Sequence, residues 1–357
     1  MSSPRLPLYA LGPVSWAESQ AIYHAQAHLG LFGANVLWPT EPYVCIGRFQ
    51  DLELEVDVSR CTERGLPIVR REVGGGAVYL DAGQVFYQLV LPYDRASLDY
   101  RALFRLGLDG VVLALGRLGV EAHVRGTNDV AVGGRKISGN GAGVVGQAAV
   151  VVGNILLDFD YHAMASVLRV PDEKFRDKAY RGMRENLISL ADLNPTVTQH
   201  EVARELTRAL VETLQHAFRL EPGERLPAEV TEAVPGTIER LTHYEWLHQV
   251  RRVRERRRLR LREGAELREN VWKAPGGLLR CHCALEDGRL TWVSFSGDVF
   301  AHPPEALALL ARALEGVRAG EVREVAAAFL ARSDVVLPGV SPEDVERVVQ
   351  GSHGRDR

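Results

Sequence analysis

The sequence predicts an α+β fold built on a mixed sheet, and three observations carry that expectation. Helical and strand-like segments are both present, but they do not alternate as regular βαβ units. Short β-rich runs bounded by turn residues gather in two stretches, Ala34 to Leu91 and Glu121 to Asp160. The length of 357 residues, 46% of them hydrophobic and 25% charged, suffices for a real core and two domains.

Ser15 and Glu18 stand three apart ahead of Ala21, Ile22, Ala25 and Leu29, the pattern of a capping box opening an amphipathic helix that Gly30 stops. Strand-like runs follow at Ala34 to Trp38, Tyr43 to Gly47 and Pro67 to Arg71, and Gln84 to Leu91 alternates more clearly. A helix is expected over roughly Tyr100 to Leu118. The next stretch reads as strands joined by tight turns, with Gly133-Gly134 as a hairpin signal. Helices return near Tyr161 to Leu168 and His200 to Phe218. Three prolines and two glycines then interrupt the pattern over Glu221 to Gly236, which gives a first domain over 1–221, a linker over 222–236 and a smaller α+β domain over 237–357. In that last part an Asp287-Gly288 turn separates two strands, and three helices follow, from about Pro304, Glu321 and Pro342.

Lys plus Arg number 43 and Asp plus Glu 46, a net charge of -3, which excludes a polycation built for nucleic acid. The N-terminus lacks a basic start and apolar h-region, and no apolar run reaches the ~18 residues of a membrane span. A cytoplasmic enzyme without membrane partners is expected. Cys45, Cys61, Cys281 and Cys283 are too few for a disulfide framework, so reduced thiols are expected. Cys281-His282-Cys283 on a strand sends both thiols to one face, which favours a buried strand over a metal site.

The most informative segment runs from Arg70-Arg71 through Gly74-Gly75-Gly76 to Ala77-Val78. Three glycines in a row remove every Cβ, so successive N–H groups can line one concavity, and two arginines add planar donor forks suited to phosphate or carboxylate. The alternative is a glycine-rich hairpin loop with solvated arginines. A second segment holds Asn128-Asp129 and then Lys136-Ile137-Ser138-Gly139. Lys136 can reach a carboxylate or phosphate as a point charge, or be a solvated strand lysine. Asp129 can hold Mg²⁺ through one carboxylate, or cap a turn.

Together, in this order and spacing, the two segments resemble the lipoate-protein ligase A family of the biotin/lipoate ligase superfamily. Gly153 to Asp160 resembles the family's Gly-Thr-Leu-Leu strand, and Val170 to Lys178 its lysine-rich segment. Lys273 to Leu278 and Ser296 to Phe300 look like its accessory C-terminal domain. Leu80 and Val152 stand where the family usually has histidine.

The resemblance implies a mixed-sheet ligase-like catalytic domain that activates lipoic or octanoic acid with ATP and Mg²⁺ to an acyl-adenylate. The acyl group would then pass to a lysine of a lipoyl domain, of a 2-oxoacid dehydrogenase or of a glycine cleavage H protein. It places Arg71 on the phosphate, with Arg70 beside it, Gly75 to Val78 along the acyl and adenine sites, and Gly74 among the binding residues. Asn128 and Gly139 join them in binding, and Lys136 acts as the catalytic cation between acyl carbonyl and phosphate. Two alternatives stand beside this: an octanoyltransferase acting from acyl carrier protein through Cys45 or Cys61, and a non-catalytic binder of lipoyl carriers. The arginine-rich run Arg251 to Arg262 reads as a solvated face, a carrier-docking surface or a nucleic-acid contact.

Overall fold

The computed structural model describes residues 3–93, 99–169, 176–251 and 266–351. The lysine-rich segment at Val170 to Lys178 and the arginine run beyond Arg251 lie largely outside them. Contacts between residues divide the chain into two units. The first comprises 1–46, 55–73 and 77–243; the second comprises 47–54, 74–76 and 244–357.

Strands β1 (Arg5–Val14), β2 (Gly33–Pro39), β3 (Tyr43–Ile46), β4 (Ile68–Arg70), β5 (Val78–Leu80), β6 (Gln84–Pro92), β7 (His123–Arg125), β8 (Asp129–Val132), β9 (Arg135–Val145), β10 (Ala148–Leu156) and β11 (Arg219–Pro222) belong to the first unit. Eight of them form one mixed sheet in the order β11-β1-β2-β6-β10-β9-β8-β7. Only the β1 pairings with β11 and β2 are parallel in it. A second, three-stranded sheet runs β4-β3-β5, with β3 parallel to β4 and antiparallel to β5. The fold is therefore α+β with a mixed sheet, as the sequence predicts.

Local signals become local structure where they can. Ser15 accepts from the Glu18 N–H at 3.2 Å while Glu18 accepts from the Ser15 N–H at 2.9 Å, and Gly30 closes the helix Trp16–Leu29 at φ +69°. Gly133 and Gly134 both take positive φ between paired Val132 and Arg135, the two-residue turn whose twist matches its strands.

One strand departs from its expected alternation for a tertiary reason. Along β6 every residue from Gln84 to Leu91 is buried. Gln88 donates to the Ser19 carbonyl of helix Trp16–Leu29 at 2.7 Å, whereas its neighbour Tyr87 points the opposite way, to Gly107 of helix Tyr100–Arg117. A Cβ at Gly107 would collide with the Tyr87 hydroxyl. Helices thus cover both faces of the central strand, and its polar side chains must find partners inside. Gln88 accepts from Asn35 at 3.0 Å, and Gln84 accepts from Asn154 at 2.6 Å.

The linker expected over 222–236 is mostly helix. Ala228–Thr242 is continuous, with Pro227 at its N-cap and Pro235 inside it. Val230 and Leu241 are fully buried, Val230 against Ile22 and Ala25, Leu241 against Leu37 and Tyr43. Apolar burial outweighs the missing proline N–H, so the helix belongs to the first unit and the division falls after His243.

In the second unit β12 (Glu266–Ala274), β13 (Gly277–Glu286) and β14 (Arg289–Gly297) form an antiparallel sheet. Helices Ala306–Leu314, Val322–Leu330 and Pro342–Gln350 supply its core. Cys281 and Cys283 are both fully buried in that core, which bears out the strand reading of the Cys-His-Cys triplet. No helix among the described residues is long and apolar enough to cross a membrane.

A chain ending at His243 should melt cooperatively. One ending at Leu220 loses Val230 and Leu241, each worth about 2 kcal/mol of burial, and should melt markedly lower by circular dichroism. Equal stability of the two would show that helix Ala228–Thr242 is no part of the first unit.

Candidate active site

Both arginines of the first motif are buried, Arg70 completely and Arg71 at 8% exposure, so they are not solvated loop residues. Arg70 ends β4 opposite Ile46 of β3, and the Arg71 N–H donates to the Ile46 carbonyl at 3.0 Å. The Arg71 Nη1 lies 3.5 Å from both the carbonyl oxygen and the Sγ of Cys45. On the other side of β3, Val78 of β5 pairs with the same Cys45, with Ala77 just before it. The three-stranded sheet therefore sets Arg70-Arg71 and Ala77-Val78 on either flank of one strand.

Glu72 follows, and it is the residue that sequence reasoning missed. Its N–H donates to His24 Nε2 at 3.1 Å, while the His24 Nδ1 donates to the Gln20 carbonyl at 2.7 Å. This pattern requires neutral His24 with the proton on Nδ1. Burial, aided by Arg240 and His28, holds its pKa down at about 4. Although the Glu72 carboxylate is only 3.9 Å away, His24 is thus an acceptor at neutral pH and not an ion-pair partner. That carboxylate meets His28 Nε2 at 2.8 Å and Arg240 Nη1 at 3.1 Å. Burial alone would raise the Glu72 carboxyl, but the His28 hydrogen bond and the surrounding charges bring it down to about 2.

The glycines that come next group with the second unit, and Gly74 and Gly75 each have their own reason. A Cβ on Gly74 would strike the Val299 carbonyl and Phe300, so close approach requires glycine there. Gly75 takes φ +96° and directs its N–H to the Val299 carbonyl at 3.4 Å. Gly76 meets only ordinary contacts, with Asp298.

The second motif is built on the β8–β9 hairpin. Lys136 Nζ sits 2.7 Å from Asp129 Oδ1, and Arg125 Nη2 lies 3.4 Å from the other carboxylate oxygen. Gly139 leaves room for that ammonium: a Cβ there would lie 2.9 Å from Nζ. The Gly139 N–H donates to Asn154 Oδ1 at 2.9 Å. Asn128 is fixed by a reciprocal pair, donating to the Asn140 carbonyl and accepting Asn140 Nδ2 on its own, each at 2.8 Å. Lys136, Asp129, Asn128 and Gly139 are thus brought together, and Lys136 is an ion-paired lysine only 31% exposed.

Asp129 does not fit the role of a magnesium ligand. Two cations already neutralise its carboxylate, and a divalent ion would have to displace both. Among the described residues no group of three His, Cys, Asp or Glu side chains is placed to hold a metal.

The sequence profile of the lipoyl protein ligase A/B catalytic domain matches residues 31–211. The chain belongs to this family. Lipoate-protein ligase A subunit 1 of Thermoplasma acidophilum is 35% identical over 186 residues, 49% of this chain and 70% of that protein. Octanoyltransferase LipM of Kyrpidia tusciae is 32% identical over 232 residues, 57% of this chain and 82% of that protein. A bi-partite lipoate protein ligase solved with its E2 lipoyl domain, from Thermoplasma acidophilum, superposes with a TM-score of 0.62 at 28% identity. That match covers 69% of this chain and 96% of the solved one. As a member of this ligase family the protein is an enzyme.

The His24 geometry has a consequence for acid stability. Its folded pKa of about 4 lies below the ordinary 6.5, so below 6.5 the unfolded chain takes up a proton that the native state refuses. Stability from this group is complete above pH 6.5 and falls away as the pH drops toward 4. Between about pH 7 and about pH 4.5, urea unfolding of the wild type should lose about 2–3 kcal/mol more than that of His24→Gln. Parallel pH profiles would show that His24 is not held neutral.

Proposed function

We propose that this member of the family is an ATP-dependent ligase for lipoate or octanoate acting through an acyl-adenylate. The burial of all four cysteines carries the choice. Cys45 is 1% exposed and so closed to an acyl donor, and burial pushes the Cys61 thiol up to about 11. An acyl-phosphate anhydride needs no protein nucleophile, whereas a thioester route does.

In the first step a carboxylate oxygen of the acid attacks the α-phosphorus of ATP, the bond to the β-phosphate oxygen breaks, and pyrophosphate leaves. Mg²⁺ enters with ATP as part of the substrate. In the second step the lysine ε-amine of a lipoyl-carrier domain attacks the acyl carbonyl, AMP leaves, and the amine gives up a proton. Negative charge grows on phosphoryl oxygens in the first step and on the carbonyl oxygen in the second. Lys136 is suited to both as a single cation that exchanges Asp129 for those oxygens. Arg71 takes the phosphate, with Arg70 supporting it from the core, and Ala77 and Val78 on the other flank of β3 lie along the acyl group. The carrier is a lipoyl domain of a 2-oxoacid dehydrogenase or a glycine cleavage H protein.

The likeness to an octanoyltransferase over 82% of its length favours one competing reading, ATP-independent transfer from acyl carrier protein. Intact-mass spectrometry of a lipoyl domain separates the two. With the full chain, lipoate and Mg·ATP, the carrier should gain one lipoyl group, and none when ATP is omitted. Lys136→Ala should slow the gain at least ~100-fold. A Cys45→Ala/Cys61→Ala double variant that folds should retain it. Acylation from octanoyl carrier protein without ATP, or a trapped cysteine thioester, would overturn the ligase reading.

A further inference from the structure

Glu72 occupies the single step between the arginine pair and Val73, which leads into the glycine run, and it is gripped at both main chain and side chain. Its N–H is fixed by His24 and its carboxylate is shared by His28 and Arg240. The two histidines are one helical turn apart on Trp16–Leu29, so they present one face, and Arg240 comes from the last turn of Ala228–Thr242. The carboxylate side chain is only 10% exposed. At such a site an ion pair is screened far less than on the surface, and losing one partner strands a charge. Val73, the next residue, is itself buried against Gly143 of β9. The peptide from Arg71 to Val73 is therefore pinned at every residue.

We infer that Glu72 is a positioning residue: through His24, His28 and Arg240 it fixes the backbone that carries Arg71, so that an anionic adenylate meets a preset arginine. The inference rests on the ligase reading and adds to it four residues, Glu72, His24, His28 and Arg240, that touch no reacting atom. Preset donors bind an anion without the cost of ordering them at that moment. The effect should appear in binding and leave the transfer step itself nearly alone.

The test titrates the full chain with a non-hydrolysable lipoyl-sulfamoyl-adenosine and measures transfer from saturating lipoyl-adenylate to a lipoyl domain. Glu72→Gln keeps the shape and removes the charge. It should raise the Kd of the analogue and the KM for lipoyl-adenylate about tenfold while kcat stays within about threefold. The Glu72→Gln/Arg240→Gln double variant should be no worse than about twofold beyond Glu72→Gln, because the groups act as one unit. A merely structural role would give the opposite split, with fewer active molecules, lower kcat and stoichiometry, and unchanged Kd and KM. Should Glu72→Gln fail to fold, His28→Gln and Arg240→Gln decide, since those side chains are 43% and 41% exposed and their loss is tolerated more readily. Folded variants that bind the analogue as the wild type does would overturn the positioning role and leave the ligase reading intact. A wild type that does not bind the analogue would remove the ligase reading, and this inference with it.

Discussion

A buried guanidinium is tolerated only where the surrounding chain supplies partners and holds still, and that constraint organises the catalytic unit around Arg70 and Arg71. β3 lies beside both of them, giving the Ile46 carbonyl to the Arg71 N–H and the Cys45 carbonyl to its side chain. Glu72 then ties the same segment to two helices. An arginine fixed in this way has lost its rotamer freedom before any substrate arrives. The cost of ordering it is met in folding and not in binding.

The same principle governs the lysine motif. Lys136 is restrained by Asp129, and Asp129 is shared with Arg125, so the ammonium sits at a defined place without being locked in the core. Gly139 leaves space beneath it, and Asn140 and Asn128 each donate a side-chain amide to the other's carbonyl. A cation poised on one carboxylate can be handed to another anion at small cost, whereas a magnesium ion would have to break both existing pairs. Asp129, already paired with two cations, is therefore poorly suited to hold a metal ion.

What was legible in the sequence is what depends on near neighbours. The capping box at Ser15 and the glycine and aspartate-glycine hairpins are three- or four-residue events, and the structure contains them. The family was legible because the two motifs stand together in the order and spacing that the resemblance requires, although each alone also fits a solvated loop or strand. The alternation of β6 was not reliable, because helices cover both faces and hydrogen-bonded Gln84 and Gln88 count as interior residues. Prolines hid helix Ala228–Thr242, whose buried Val230 and Leu241 outweigh them. Glu72 was illegible for a different reason: its partners stand 44 to 168 residues away, and only the i, i+4 spacing of His24 and His28 left a trace.

The chemistry turns on whether the acid is activated as an anhydride with AMP or as a thioester. Buried thiols, a restrained lysine and a fixed arginine favour the anhydride. Exchange of radiolabelled pyrophosphate into ATP isolates that first step, because it needs no carrier domain and no turnover beyond the adenylate. The wild-type protein should catalyse exchange that depends on lipoate or octanoate. Absence of acid-dependent exchange from a folded protein that still acylates a lipoyl domain would contradict the adenylate account directly.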